Sequence, residues 1–374
     1  MHRVSIVRCP SYDRSEVEAR LQELIGHFGG LAAFVQPGDK VLIKPNILTG
    51  APPERAITTH PEVVRAVARA CQDLGAHVQV GDCPGFGDSV RAAERAGIVA
   101  MCQAIGVPFV SFNTPRQTPF PEGKVAKRFL LAEPVTRADK IISIAKLKTH
   151  GLMVYTGAVK NLYGTVSGNE KIRLHLSYPT PHDFALLLLD LQALVRPVLS
   201  IVDGIVGMEG SGPRAGTPRQ MGLLFAGTEP IAVDTVVAAC IGVPVQGVPY
   251  LAAAAEAGYD SADLKNIEVA GLGLDEAKVK GFRLPASGPK PDFPLWLGEI
   301  GRKQLSARPV LIPDLCQGCA ICRESCPPEA IRIEDGRAVF DDRKCIRCYC
   351  CHEMCPHGAI ELKHTGLGRI WKWR

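Results

Sequence analysis

Aromatic residues are scarce in this 374-residue chain, at 6% of the total, with only three tryptophans. Base stacking draws on aromatic side chains interleaved with cations, and no recognition motif is present, so nucleic acid is not expected as a partner. Long apolar runs are missing as well. The most apolar stretch, FALLLLDLQALVRPVLSIV, is broken by Asp190, Arg196 and Pro197, whereas a membrane span needs about 20 apolar residues. The opening residues MHRVSIVRCP contain no apolar core of a secretory signal, which predicts a cytoplasmic protein with free thiols and no transmembrane segment. The glycine-rich stretch at 204–216 lacks the Lys-Ser/Thr ending of a P-loop, and no GxGxxG follows a first strand; it reads equally as a turn-rich pocket wall or as a phosphate loop. Acid is short in one region. Between Lys140 and His175 six Lys or Arg face a single acid, Glu170, in a chain of formal net charge +5, and such a local excess is a candidate anion site.

Cysteine is plentiful by contrast, and its spacing is informative. CQGCAICRESCP begins at Cys316 and CIRCYCCHEMCP at Cys345, so each run holds C-x2-C-x2-C-x3-C-P. In that pattern three thiolates on a tight loop cover three irons of a [4Fe-4S] cube, and the fourth cysteine reaches the other cube. Cys316, Cys319, Cys322 and Cys355 are therefore expected on one cluster, and Cys345, Cys348, Cys351 and Cys326 on the other. Structural zinc takes two C-x2-C pairs around one ion and matches the repeat poorly. Disulfides belong to short secreted chains. Cys350 is a ninth cysteine in the segment, either a spectator thiol or a ligand of an altered cluster. Residues 309 to 363 resemble the two-cluster bacterial ferredoxins, which implies one-electron transfer at low potential.

With 46% hydrophobic and 22% charged residues, the chain is long enough for two or more folded domains. Up to residue 285, β-branched runs alternate with helical periodicity, predicting an α/β domain with a mostly parallel sheet and helices on both faces. Strands are expected at Val4–Val7, Val41–Lys44, Val78–Val80, Phe109–Ser111, Ile141–Ile144, Leu199–Val202 and Gly222–Phe225. A helix is expected over Ser89–Ile105, and another from Pro61 with Thr59 as its N-cap. Residues 286–308 read as a link, 309–363 as a small α+β two-cluster ferredoxin domain, and 364–374 as a basic aromatic tail suited to docking or to a membrane surface. Trp296 in the link is expected to anchor one domain on the other.

Ligands of open parallel sheets sit beyond the carboxyl ends of the strands. Lys44 and Asn46 follow one strand, Asp82 and Cys83 another, and KLKTHGLMVYTGAVKNLYG a third. Lys148 and His150, two apart, share a side if the backbone is extended. Lys160 and Asn161 follow ten residues later. His150 and Lys160 are the candidate catalytic pair, His150 as proton donor and Lys160 for electrostatic or covalent work; Lys44, Asn46, Lys148 and Asn161 are the candidate anion-binding residues. Lys44 reads equally as a solvated lysine beside a turn. Cys83 is either a small buried thiol or a reactive one activated by its glycine loop.

The stretches VLIKPNIL, HPEVVRAVARACQDLGA, GDCPG, AKLKTHGLMVYTGAVKNLYG and VDGIVGMEGSGP resemble the family known as domain of unknown function 362, which often carries a ferredoxin module. The His150 to Lys160 spacing is also similar to that in the nickel-pincer lactate racemases. In that family the lysine holds the cofactor, and His175 approximates its metal-binding histidine. Together these features predict a reductase passing electrons from two [4Fe-4S] clusters to an anionic small molecule or to a further cofactor in the α/β domain, fed by a redox partner such as a ferredoxin or reductase. An electron-transfer adaptor and a metallocofactor maturation factor are the alternatives.

Overall fold

The structure is a computed structural model that describes residues 1–85, 87–168, 170–285 and 306–364. Trp296, nearly all of the expected link and the tail beyond His364 lie outside the described residues.

Short Val- and Ile-rich runs form the first strands, β1 (His2–Arg8), β2 (Lys40–Lys44) and β3 (His77–Val80). β4 (Pro115–Pro119) and β5 (Arg128–Ala132) make a separate antiparallel pair. β6 (Lys140–His150), β7 (Val154–Thr156), β8 (Leu199–Glu209), β9 (Thr217–Gly227) and β10 (Ile267–Gly271) complete the main sheet. Its order is β10-β1-β9-β8-β6-β2-β3, with β7 paired to β6. β10 with β1, and β8, β6, β2 and β3 in turn, pair in parallel; β9 runs antiparallel to both β1 and β8.

Successive side chains of a strand point to opposite faces, and here both faces are covered. Val41 and Ile43 enter one core and Leu42 the other. The helices Arg14–Gly26 and Pro61–Asp73 pack on the first face, and Pro181–Val195, Pro230–Cys240 and Pro249–Glu256 on the second. No helix among the described residues is long and apolar enough to cross a membrane.

Several local expectations change. Phe109–Ser111 gives only an isolated parallel bridge from Phe109 to Val80. The helix expected over Ser89–Ile105 divides into Ser89–Arg95 and Ile98–Ala104, because Gly97 takes φ +73°, a left-handed conformation that ends a helix. His60, not Thr59, caps the helix at Pro61, its side chain accepting from Glu62 N–H at 3.2 Å. The KLKTH segment does not follow its strand but belongs to it. β8 likewise runs through Glu209, so the glycine stretch is largely a β8–β9 ribbon whose tip spans residues 210–216.

The second module begins with β11 (Arg308–Leu311), paired antiparallel to β14 (Ile360–Lys363); β12 (Ile331–Glu334) and β13 (Arg337–Phe340) form a second antiparallel pair. The short helices Ile321–Glu324 and Cys350–Met354 carry the middle of each cysteine run. This module is docked closely on the first. Tyr349 joins the larger domain's core, and a Cβ placed on Gly85 would meet Met354 Cε at 2.6 Å.

Candidate functional site

The two cysteine runs fold about a repeated backbone turn. Gly318 and Ala320 in the first, and Arg347 and Tyr349 in the second, all take left-handed φ between +60° and +64°. Three of these are not glycine, a conformation L-residues adopt at a cost that recurs at functional loops. Two apolar-walled pockets result. Cys316, Cys319, Cys322 and Cys355 line one; Cys326, Cys345, Cys348 and Cys351 line the other. Each run thus lends its fourth cysteine to its neighbour's pocket. Ala330 N–H donates to Cys326 Sγ and Ala359 N–H to Cys355 Sγ, each at 3.2 Å, so both crossed sulfurs accept a main-chain hydrogen bond. Four thiols around a dry pocket with N–H donors to sulfur suit a [4Fe-4S] cube.

Beside the second pocket, the sheet delivers lysines in a row. β6 and β8 shift register after Lys146, which stands opposite Asp203, so that Lys148 meets Met208. Lys146 Nζ donates to Asp203 Oδ2 at 2.9 Å and to the Tyr12 hydroxyl at 2.8 Å. Lys148 Nζ donates to Asn46 Oδ1 at 2.6 Å and Ile57 O at 2.8 Å. Lys44 Nζ pairs with Asp82 Oδ1 at 2.7 Å and donates to Pro45 O and Asn161 Oδ1. Burial pushes all three amines below the usual lysine range; Asp82 and Asp203 oppose it for Lys44 and Lys146, while Lys160 adds to it for Lys148. Of the expected anion-binding residues, Lys44 and Lys148 are therefore buried and already held by partners in the protein. Asp82, expected at the end of a converging strand, neutralises Lys44.

Lys160 is different. It stands on a short helix, Ala158–Asn161, whose N–H groups at Ala158 and Val159 donate to the Asp234 carboxylate at 2.7 and 3.0 Å. Tyr155 Oη donates to Asp234 Oδ1 at 2.7 Å. Lys160 Nζ lies 5.9 Å from the centre of the Tyr163 ring and makes no hydrogen bond or ion pair with a described residue. Burial lowers its pKa, against the pull of Glu353 and Cys350.

A cavity of about 80 Å³ lies in front of it. Asn46, Lys160, Asn161 and His175 line it from the larger domain, and Cys350 and Glu353 from the cluster module. Cys350 also lines the second cysteine pocket, so this thiol forms part of the wall between the two spaces. His175 is buried, stacked on Phe184 at 4.4 Å and edge-on to Tyr163 at 5.7 Å; burial pushes it down to about 4. Its ring nitrogens make no hydrogen bond with a described residue. Lys171 Nζ holds the loop bearing Cys83 through Cys83 O at 2.6 Å and Pro84 O at 2.9 Å.

His150 sits one layer back. Its Nδ1 accepts N–H from Leu152 at 3.0 Å and Met153 at 3.2 Å, so the ring proton belongs on Nε2, which lies 2.8 Å from Glu353 Oε1. Burial pushes His150 down to about 4, with Glu353 opposing. Burial also works against the Glu353 charge, but His150 and Lys160 more than offset it, holding that carboxyl well below its usual range. The structure thus gathers Asn46, Lys160 and Asn161 at one cavity and leaves Lys44, Lys148 and His150 behind its wall. Glu353, Asp234 and Lys171 were not foreseen. An acid between Cys351 and Cys355, and a basic residue inside the lysine-rich segment, were the available signals.

Comparison with known proteins places these features. Residues 41–239 match the domain of unknown function DUF362, and residues 308–356 match a 4Fe-4S dicluster domain. A thylakoid-associated protein of Synechocystis sp. is 37% identical over 251 residues, covering 67% of this chain and 78% of that protein. Among solved structures, the lactate racemase apoprotein of Thermoanaerobacterium thermosaccharolyticum aligns with TM-score 0.39 and 11% identity over 59% of this chain. A protein of Thermotoga maritima aligns with TM-score 0.37 and 13% identity over 60%. The chain spans little more than half of each, 54% and 57%. It belongs to the DUF362 family and carries, after that domain, a 4Fe-4S dicluster domain of the kind that serves iron–sulfur electron transfer.

Proposed function

We propose that the protein is a reductase whose two [4Fe-4S] clusters deliver low-potential electrons to an anionic small molecule, or to a bound cofactor of that charge, in the cavity between the modules. Cys316, Cys319, Cys322 and Cys355 would hold one cluster, and Cys326, Cys345, Cys348 and Cys351 the other. The observation that carries the reading is the position of Cys350, shared between the wall of the second cysteine pocket and the wall of the cavity containing Lys160. When bound, the clusters supply electrons one at a time. Lys160 supplies an amine that makes no ion pair with a described residue, and Asn46 and Asn161 supply amides to orient a carboxylate or phosphate. Lys44 and Lys148, already held by Asp82, Asn46 and main-chain carbonyls, brace the wall behind it. His150 acts through Glu353, while His175 and Lys160 are proton-bearing groups on the cavity itself.

Anaerobic thermal-shift screening of the iron-loaded protein against small carboxylates and phosphates tests the reading. A stabilising anion should lose its effect in Lys160→Ala while the cluster absorption spectrum stays unchanged. An anion that stabilises Lys160→Ala as well as the native protein would place its site elsewhere. No stabilising anion at all would favour the electron-transfer adaptor.

A further inference from the structure

The cysteine pockets differ in what surrounds them. Cys319 in the first run is exposed, whereas its counterpart Cys348 is only 8% exposed. The second pocket backs onto the cavity; the first lies near solvent. The tip of the β8–β9 ribbon reaches the first pocket. Gly212 O lies 3.3 Å from His352 Nε2, and a Cβ on Gly358, just past Cys355, would stand 3.5 Å from Ala215 Cβ. Arg214 lies between those two contact points. Arg55 ends the short turn Pro53–Arg55, which packs against β9, and a Cβ on Gly50 would meet the backbone of Ala92 in the helix that ends at Arg95, so both arginines approach the ribbon and add like charge to Arg214. No carboxylate is among the main influences on Arg214. None of the three guanidinium groups makes an ion pair with a described residue, and Arg55 and Arg95 are exposed.

We propose that this arginine cluster, beside the exposed Cys319, is the docking surface for an acidic electron-transfer protein, so that electrons enter at the first cluster and leave from the second toward the cavity. Like charges that make no ion pair with a described residue repel, and a partner bearing carboxylates relieves that repulsion while steering encounter. Each transfer oxidises the donor's cluster by one electron and reduces the first cluster by one, with no atom or proton exchanged. The proposal rests on the reading that the clusters feed the cavity.

The test is stopped-flow reduction of the anaerobic, iron-loaded protein by a pre-reduced acidic bacterial ferredoxin of two [4Fe-4S] clusters, with photoreduced deazaflavin as a small neutral reductant. Arg55→Glu and Arg214→Gln should each slow reduction by the ferredoxin, and the double variant should slow it about tenfold or more at low ionic strength. The salt dependence should flatten with it, and reduction by deazaflavin should not change. Arg128→Glu, an exposed arginine of β5, should leave both rates alone. Native rate and salt dependence in the double variant, or an equal loss in Arg128→Glu, overturns the docking site. Clusters in the native protein that deazaflavin cannot reduce would instead overturn the electron-transfer reading beneath it.

Discussion

His150 on β6 and Glu353 on the helix between two cluster cysteines meet across the module boundary, Nε2 to Oε1 at 2.8 Å. Both side chains are buried, at 1% and 6% exposure. The contact ties the interior of the α/β domain to the short helix Cys350–Met354 in the second cysteine run.

Removing the imidazole should cost more than neutralising the carboxylate. Glu353→Gln keeps an amide oxygen facing His150 Nε2–H. His150→Ala leaves the Glu353 charge buried without its near partner, a loss of about 3–5 kcal/mol for an orphaned buried charge. Anaerobic denaturant unfolding of the iron-loaded protein compares the two, and equal costs would mean that charge is not what holds the contact.

Asp234 should govern where Lys160 stands. Burial raises its pKa to about 6, against the hydrogen bond from Tyr155 and those from the backbone at Val159 and Ala158. Asp234→Asn replaces an acceptor with an N–H that faces other donors, costing about 1–3 kcal/mol. A Cβ on Gly157 would clash with the Tyr155 hydroxyl and the Asp234 carboxylate, so Gly157→Ala should behave alike. Both are expected to weaken anion-induced stabilisation more than they lower the melting temperature of the ligand-free protein. Native anion response in a stable Asp234→Asn would show that this cap does not position the lysine.

Acidification should destabilise the fold through His175. Its folded pKa of about 4 lies below the ordinary 6.5, so the unfolded chain takes up the proton first as pH falls. The stabilisation is complete above about pH 6.5 and is lost toward pH 4, on the order of 3 kcal/mol over the window. His175→Phe keeps an aromatic ring against Phe184 and should flatten the dependence by about one proton. An unchanged slope between pH 7 and pH 5 would place the titration elsewhere.

The two fourth cysteines should act on opposite clusters. Cys355→Ser should alter the cluster of the Cys316 loop and Cys326→Ser that of the Cys345 loop, read as loss of different signals in electron paramagnetic resonance. Elemental analysis of the native protein should give about eight irons per chain. Zinc in place of iron, or the same signal lost in both variants, would contradict the crossed arrangement.

How much of this was legible depended on how local the information was. The cysteine runs were readable because spacing within a dozen residues fixes which thiols share a loop. The covering of both sheet faces followed from runs such as Val41–Lys44, with apolar side chains at consecutive positions. Lys148 and His150 share a side only if the backbone is extended, and the strand expected at Ile141–Ile144 runs on through His150 to make it so. Lys146 and Lys148 are buried, since Asp203 and Asn46 arrive from neighbouring segments to receive them. Lys44 reads in the sequence either as a ligand for an anion or as a solvated lysine, because Asp82 is 38 residues away and only the pairing of β2 with β3 brings it alongside. Glu353 was passed over because a residue between two cluster cysteines reads as spacer.

The Glu353 contact also bears on the order in which the molecule matures. In a chain made under iron starvation the helix carrying Glu353 lacks the cluster that its cysteines would hold, and the His150 imidazole N–H is expected to lose its acceptor more often. Metal loading is thus expected to be registered far away in sequence, at His150 in the other domain. Comparing the hydrogen-exchange protection of Leu152 and Met153, whose N–H groups rest on the same ring, in iron-replete and iron-starved protein would show whether the cell could sort finished copies from unfinished ones by this means; identical protection would rule it out.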